Sequence, residues 1–251
     1  MRTDSKLRFL KKYVKTVWMM PCGARLKFFK GLYNVYYWPD KNIRAEGLKF
    51  FDDLKKKNFT QNWINSNIYA WLNVLAPLRS QKFEYLEVGS WEGTSAYFMA
   101  HHFPQAQLTC IDTWEGSDEH ISDARVQTTE QKFDQNLSPF MDRVTKKKGY
   151  SQHVLPHLPL GHYDVIYIDG SHYADDVLTD ALGAWMLLKK GGIMIFDDIL
   201  WKYRGYPCHK RPYKALKLFC SQIRGEYEVL HAGPQVMICK TKDRSDIIRT
   251  I

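Results

Sequence analysis

Between residues 63 and 78, apolar side chains fall at Ile64, Ile68, Trp71, Leu75 and Leu78. Intervals of four, three, four and three place them on one face of a helix. Beyond this point, short apolar runs alternate with helix-length segments. Residues 85–88, 108–111, a stretch near Val144, 165–168 and 192–196 read as strands. Residues 95–102, 122–137, 151–158, 173–188 and 214–223 read as helices. In the fourth of these, Val177, Leu178, Ala181, Leu182 and Trp185 form the inward face. Residues 227–231 and 236–240 close the pattern as two strands around the turn AGP. Repeated strand–helix alternation predicts a doubly wound parallel sheet. Two strands joined by a short loop must pair antiparallel. The expectation is therefore an α/β fold: a Rossmann-like seven-stranded sheet, mostly parallel, with an antiparallel last strand.

Composition adds an asymmetry. The net charge of +9 divides into +10 for residues 1–60 and −1 for the remainder. This predicts a basic helical extension over 1–60, a main domain over 61–242 and a tail over 243–251. The extension (LRFLKKYVKTVWMM, then ARLKFFKGLYNVYYW) mixes cations with large apolar residues. Packing on the domain with a lysine-rich wet face is the favoured reading. Docking on an anionic membrane surface or another polyanion is the alternative. No apolar run approaches the roughly 18 residues of a membrane span. VWMMP is too short for a signal peptide. The five cysteines (Cys22, Cys110, Cys208, Cys220, Cys239) are scattered, with no metal-binding spacing. They read as reduced thiols and a cytoplasmic location, with peripheral membrane contact if the extension docks.

The strand ends carry the candidate chemistry. Gly89 and Gly93 bracket a turn between the first strand and its helix in YLEVGSWEGTSA. Glycine permits that turn and lets a ligand approach the backbone. Asp112 ends the second strand, where an acid typically accepts hydrogen bonds from ribose hydroxyls. Asp169 ends the fourth strand, in YIDGSHYADD, and Asp197 and Asp198 end the fifth. Adjacent parallel strands lie about 4.8 Å apart, so three carboxylates can converge there. Their repulsion calls for a proton or a cation, and oxygen ligands suit Mg²⁺ or a similar ion. Asp175 and Asp176 instead suit the first turn of a helix capped by Ser171.

EVGSWEGTSA, Asp112, GYSQHVLPHL and IDGSHY followed by FDD together resemble the catechol O-methyltransferase-like branch of the class I S-adenosylmethionine-dependent methyltransferases, and the related sugar and macrolide enzymes. The resemblance covers roughly residues 62–240. It implies S-adenosylmethionine as cofactor. Glu87 would close the first strand beside it, and Gly89, Trp91, Gly93 and Ser95 would lie near its methionine moiety. Asp112 would hold the ribose, Ser151 and Gln152 would face the adenine, and Trp114 would flank the adenine or simply pack. Asp169, Asp197 and Asp198 would hold the divalent ion. The catechol enzymes usually have Asn at the position of Asp198, so this site is the more acidic. They place a lysine base where this chain has His172, whose ordinary pKa near 6.5 also suits proton abstraction.

The function that follows is metal-dependent O-methylation of a hydroxylated small molecule, a sugar or a phenol. A nucleic-acid methyltransferase is a rival suggested by the basic extension. It is disfavoured because DGSH stands where an amino-methylating enzyme has [DNS]PP[YFW]. A non-catalytic binding protein is a further rival, and the Asp169/His172/Asp197/Asp198 set argues against it. LWKYRGYPCHKRPY, after the fifth strand, is expected to line a polar or anionic acceptor site. Sequence does not specify the oligomeric state.

Overall fold

The computed structural model describes Arg25, Lys27 and residues 40–61, 63–64, 67–117, 120, 124–201 and 207–243. Most of the basic extension, including residues 1–20, and residues 244–251 lie outside the described residues, as do residues 202–206 of the expected acceptor loop.

In chain order the elements are α1 (Lys41–Leu54), α2 (Asn67–Val74), β1 (Phe83–Val88), α3 (Thr94–His102), β2 (Ala106–Asp112), α4 (Val126–Leu137), β3 (Val144–Lys148), α5 (Ser151–Val154), β4 (Tyr163–Ile168), α6 (Ala174–Leu187), β5 (Leu188–Phe196), α7 (Pro212–Gln222), β6 (Tyr227–Ala232) and β7 (Val236–Lys240). The strands form one seven-stranded sheet in the order β3-β2-β1-β4-β5-β7-β6. Neighbours from β3 to β5 pair parallel, and β7 runs antiparallel to both β5 and β6. The last of the described strands is thus inserted beside β5, and β6 forms the sheet edge.

Alternating side chains feed two cores. Leu86, Val88, Ile166, Ile168 and Phe196 face α6 and α7 and pack with Val177, Trp185 and Phe219. Tyr85, Val165, Tyr167 and Ile195 face the other way, packing with Phe50 of α1, Trp71 of α2 and Phe98 of α3. Within the predicted inward face of α6, Val177, Ala181 and Trp185 are buried, but Leu182 is 42% exposed. It lies one position round from Ala181, and the buried stripe is narrower than the run of apolar residues suggests. Ser171 is not the residue capping α6. That position belongs to Tyr173, whose backbone N–H donates to Ser171 Oγ two residues upstream. Asp175 and Asp176 do occupy the first turn.

The sheet positions the site by register. Val88 pairs with Ile168, and Ile168 with Phe196, so β1, β4 and β5 end level with one another. Backbone bonds continue one residue further: Gly89 N–H reaches Ile111, Asp169 N–H reaches Val88, and Asp197 N–H reaches Ile168. Gly89, Asp169 and Asp197 therefore open the crevice at the carboxyl ends of the strands.

Candidate active site

Gly89 has φ of 88°, and a Cβ there would stand 2.1 Å from the carbonyl oxygen of Asp169. No side chain fits, so glycine is what allows the β1 and β4 loops to touch. Gly93 also has positive φ, and a Cβ would sit 2.5 Å from Leu137 of α4. Its role is to seat the start of α3 against α4. Between them Trp91, itself at φ 47°, turns the loop. Glu92 is buried and pinned by Lys132, at 3.0 Å, and by the Thr60 hydroxyl and N–H.

Asp112 locks this loop. Its Oδ2 accepts the N–H groups of Ser90 and Trp91 at 2.8 and 2.7 Å, and its Oδ1 accepts Trp114 N–H at 2.6 Å. Burial pushes its pKa up, against the pull of these amides. The carboxylate expected at the ribose is thus largely engaged by the loop that would carry the ligand. Trp114 is buried on Phe133, with its indole N–H on the Trp91 carbonyl and the Lys146 ammonium 4.7 Å above its ring. These contacts fix the indole in place. Glu87 is fully buried, accepts the Tyr85 hydroxyl at 2.8 Å, and has its pKa raised by that burial. Ser95 is buried in the first turn of α3. Ser151 donates to Asp180 at 2.5 Å. Gln152 is half-buried beside it.

Three of the four reaction-end residues converge closely. One ligand atom from each of Asp169, His172 and Asp198 lies within 4.8 Å of the other two. His172 Nε2 is 3.4 Å from Asp198 Oδ2, and the imidazole ring leans on Trp201 at 4.9 Å. Asp198 reaches this place through a left-handed backbone, φ 45°. Asp197 lies on the same side of the sheet as Asp169, because Tyr167 OH bonds both: Asp169 Oδ2 at 2.8 Å, and Asp197 Oδ2. Asp197 is further held by Gln235 Nε2 at 2.7 Å and by the Asp198 N–H at 2.6 Å. Tyr167 has one proton to give, so the two carboxylates cannot both be satisfied by it as anions. Burial, then the neighbouring acids, lifts Asp169 well above the usual carboxylate range, while burial and Asp198 lift Asp197 to about 6.

The fit to a divalent cation is good in chemistry. Two carboxylates and an imidazole at that mutual spacing are donors such an ion accepts. The closest set, however, replaces Asp197 with His172.

Three residues that the sequence pattern does not single out also belong here: Tyr167, Gln235 and Asp180. In sequence Tyr167 is an ordinary strand aromatic, and Gln235 lies in the turn between β6 and β7. The one signal for Asp180 is a lone acid inside the apolar stripe of α6. The expected acceptor loop is only partly polar: Tyr213 is buried in the core, and Lys210 pairs with Asp175 at 2.9 Å.

Comparison with known proteins finds similar chains. The family described as methyltransferase domain matches residues 86–199, the span from β1 to just past Asp198. Over that span the chain is similar to methyltransferase domains. A curated relative is the mycinamicin VI 2''-O-methyltransferase of Micromonospora griseorubida, 26% identical over 132 residues. The match takes in 50% of this chain and 29% of that one. An uncharacterized protein of Acanthamoeba polyphaga mimivirus is 24% identical over 208 residues, 78% of this chain and 87% of its own. Among solved structures, the O-methyltransferase TomG from Streptomyces achromogenes, in complex with SAM, aligns with TM-score 0.55 at 14% identity. It covers 87% of this chain and 99% of that one. The MycE methyltransferase of mycinamycin biosynthesis, in complex with Mg and SAH, gives TM-score 0.52 at 16% identity, over 80% and 55%. Likeness at that level establishes a shared fold. No helix among the described residues is long and apolar enough to cross a membrane.

Proposed function

We propose that the chain transfers the methyl group of S-adenosylmethionine to a hydroxyl of a small molecule, a sugar or a phenol. The carrying observation is the convergence of Asp169, His172 and Asp198 beside the Gly89 turn, at level strand ends. In this reading the Gly89–Gly93 loop and Glu87 cradle the methionine half of the cofactor. Ser151 and Gln152 face its adenine. Asp112 acts mainly by holding the loop amides in place, and touches the ribose with whatever lone-pair capacity remains.

Asp169 and Asp198 would hold a divalent cation, with Asp197 behind them. Such an ion supplies orientation and a lowered pKa for the acceptor hydroxyl. His172 then takes the hydroxyl proton on a ring nitrogen, and Asp198, 3.4 Å away, stabilises the resulting imidazolium. The acceptor oxygen attacks the methyl carbon in line. The carbon–sulfur bond breaks, its electron pair stays on sulfur, and S-adenosylhomocysteine leaves. A second reading makes His172 a ligand, and the mutual 4.8 Å spacing favours it. A single ring nitrogen cannot do both.

The experiment is calorimetry with S-adenosylhomocysteine, then a methyl-transfer screen of sugars and phenols with and without chelator. The proposal predicts cofactor binding that survives chelation and turnover that does not. In the active assay His172→Ala should lower kcat by about 10²–10⁴-fold while Mg²⁺ affinity holds if His172 is the base. A loss of metal affinity in that variant assigns it to the ion instead. Absence of cofactor binding would overturn the whole reading.

A further inference from the structure

Below the predicted adenine position lies a buried carboxyl. Asp180, on α6, is 2% exposed. Among the described residues its hydrogen-bond partner is Ser151, whose hydroxyl donates to Oδ1 over 2.5 Å. Its Oδ2 looks toward Gly170, the residue after Asp169; a Cβ placed there would stand 3.7 Å from it. Ser151 follows the loop after β3, and that loop lies against the end of β2, since Gly149 N–H donates to the Asp112 carbonyl. The Ser151–Asp180 pair thus spans the space between the β3 and β4 loops on the cofactor side. No cation pairs with Asp180 among the described residues, and burial pushes its pKa up to about 7.

A serine hydroxyl has one proton and two lone pairs. Once the proton is committed to an ionised Asp180, Oγ has only lone pairs left to offer a ligand. We propose that Asp180 is a positioning residue that fixes Ser151 as a hydrogen-bond acceptor, so that the nucleoside site selects a base bearing an exocyclic amine. The inference rests on the cofactor reading above and deepens it. The 6-amino group of adenine donates to such an oxygen. Hypoxanthine, with a 6-carbonyl in the same place, sets lone pairs against lone pairs and leaves both oxygens unpaired.

The test compares S-adenosylhomocysteine with S-inosylhomocysteine by calorimetry, in wild type, Asp180→Leu, Ser151→Ala and the double variant. Wild type should prefer the adenosyl compound by about tenfold or more. Asp180→Leu should remove most of that preference, because the freed hydroxyl can rotate to donate. Ser151→Ala should remove it too, and the double variant should lose no more than Ser151→Ala alone, the signature of two residues acting as one unit. A folded Asp180→Leu protein that keeps the full preference overturns the proposal and leaves Asp180 a packing residue. If Asp180→Leu does not fold, Asp180→Val is read in its place. It too removes the acceptor, so an undiminished preference there overturns the proposal equally. Wild type that binds the adenosyl compound without preference refutes this inference alone. Wild type that binds neither compound refutes the cofactor reading and this inference with it.

Discussion

The Tyr167 hydroxyl stands between two carboxylates that share its single proton, and its removal has a readable cost. Tyr167→Phe leaves Asp169 and Asp197 without that donor. An unsatisfied buried acceptor costs about 1–3 kcal/mol. The loss should be largest at pH 8 and smaller at pH 5, because Asp197, raised to about 6, then carries its own proton. The sign agrees with linkage: an acid whose folded pKa is raised favours folding at low pH and opposes it as pH rises from about 4 through about 6. Urea melts of the apo protein at the two pH values measure it. A pH-independent difference would mean that the hydroxyl satisfies neither carboxylate. Asp112→Ala is the companion change. It should release three loop amides and weaken S-adenosylhomocysteine binding by about 2–4 kcal/mol; unchanged calorimetric affinity in the folded variant would refute the locking role.

At the scale of elements, the decisive geometry is the contact between the β1 and β4 loops. Gly89→Ala forces a Cβ to within 2.1 Å of the Asp169 carbonyl at positive φ. The strands must separate or the turn must rebuild, so both the melting temperature and cofactor affinity should fall. Gly161 also has positive φ but nothing within 4 Å, so Gly161→Ala is the control for the φ effect alone. Equal losses in thermal melts of the two variants would mean that the contact contributes nothing. Most elements were legible in the sequence because periodicity reports burial. Tyr85, Tyr167 and Trp71 lie at strand or helix spacing and are buried as that spacing requires. The strand-end acids were legible because an acid that breaks off an apolar run marks where the chain leaves the core. Which carboxylates meet was not legible. Asp198, not Asp197, approaches His172, because a left-handed residue redirects the chain, and nothing in FDD announces positive φ. Ser171 missed the cap position because the loop after Asp169 runs two residues longer than its composition implies.

For the whole molecule, acid stability should be governed by histidines remote from the crevice. His102 closes α3 under α1, with its Nδ1 on the Phe98 carbonyl at 3.1 Å and its ring against Phe50. Burial lowers its pKa to about 4, outweighing the help of Glu46 3.6 Å away. A base whose folded pKa is depressed stabilises the fold above its ordinary value near 6.5, and that stability is lost as pH falls toward 4. His102→Gln should flatten thermal stability between pH 4 and 6.5; an unchanged slope would mean that other groups set it.

Gln235 gives the molecule an order in time. Its side chain joins Trp71 Nε1, at 2.7 Å, to Asp197. Trp71 and Gln235 are 164 residues apart in sequence. A ribosome making this chain will therefore have released β1 through β6 before the amide that steadies Asp197 exists. Until the β6–β7 turn emerges, the buried indole and the carboxylate both lack this amide, and β5 is an open edge. The crevice is completed by a strand that follows all the others described, so a chain cut before it can hold most of the sheet and still lack a finished site.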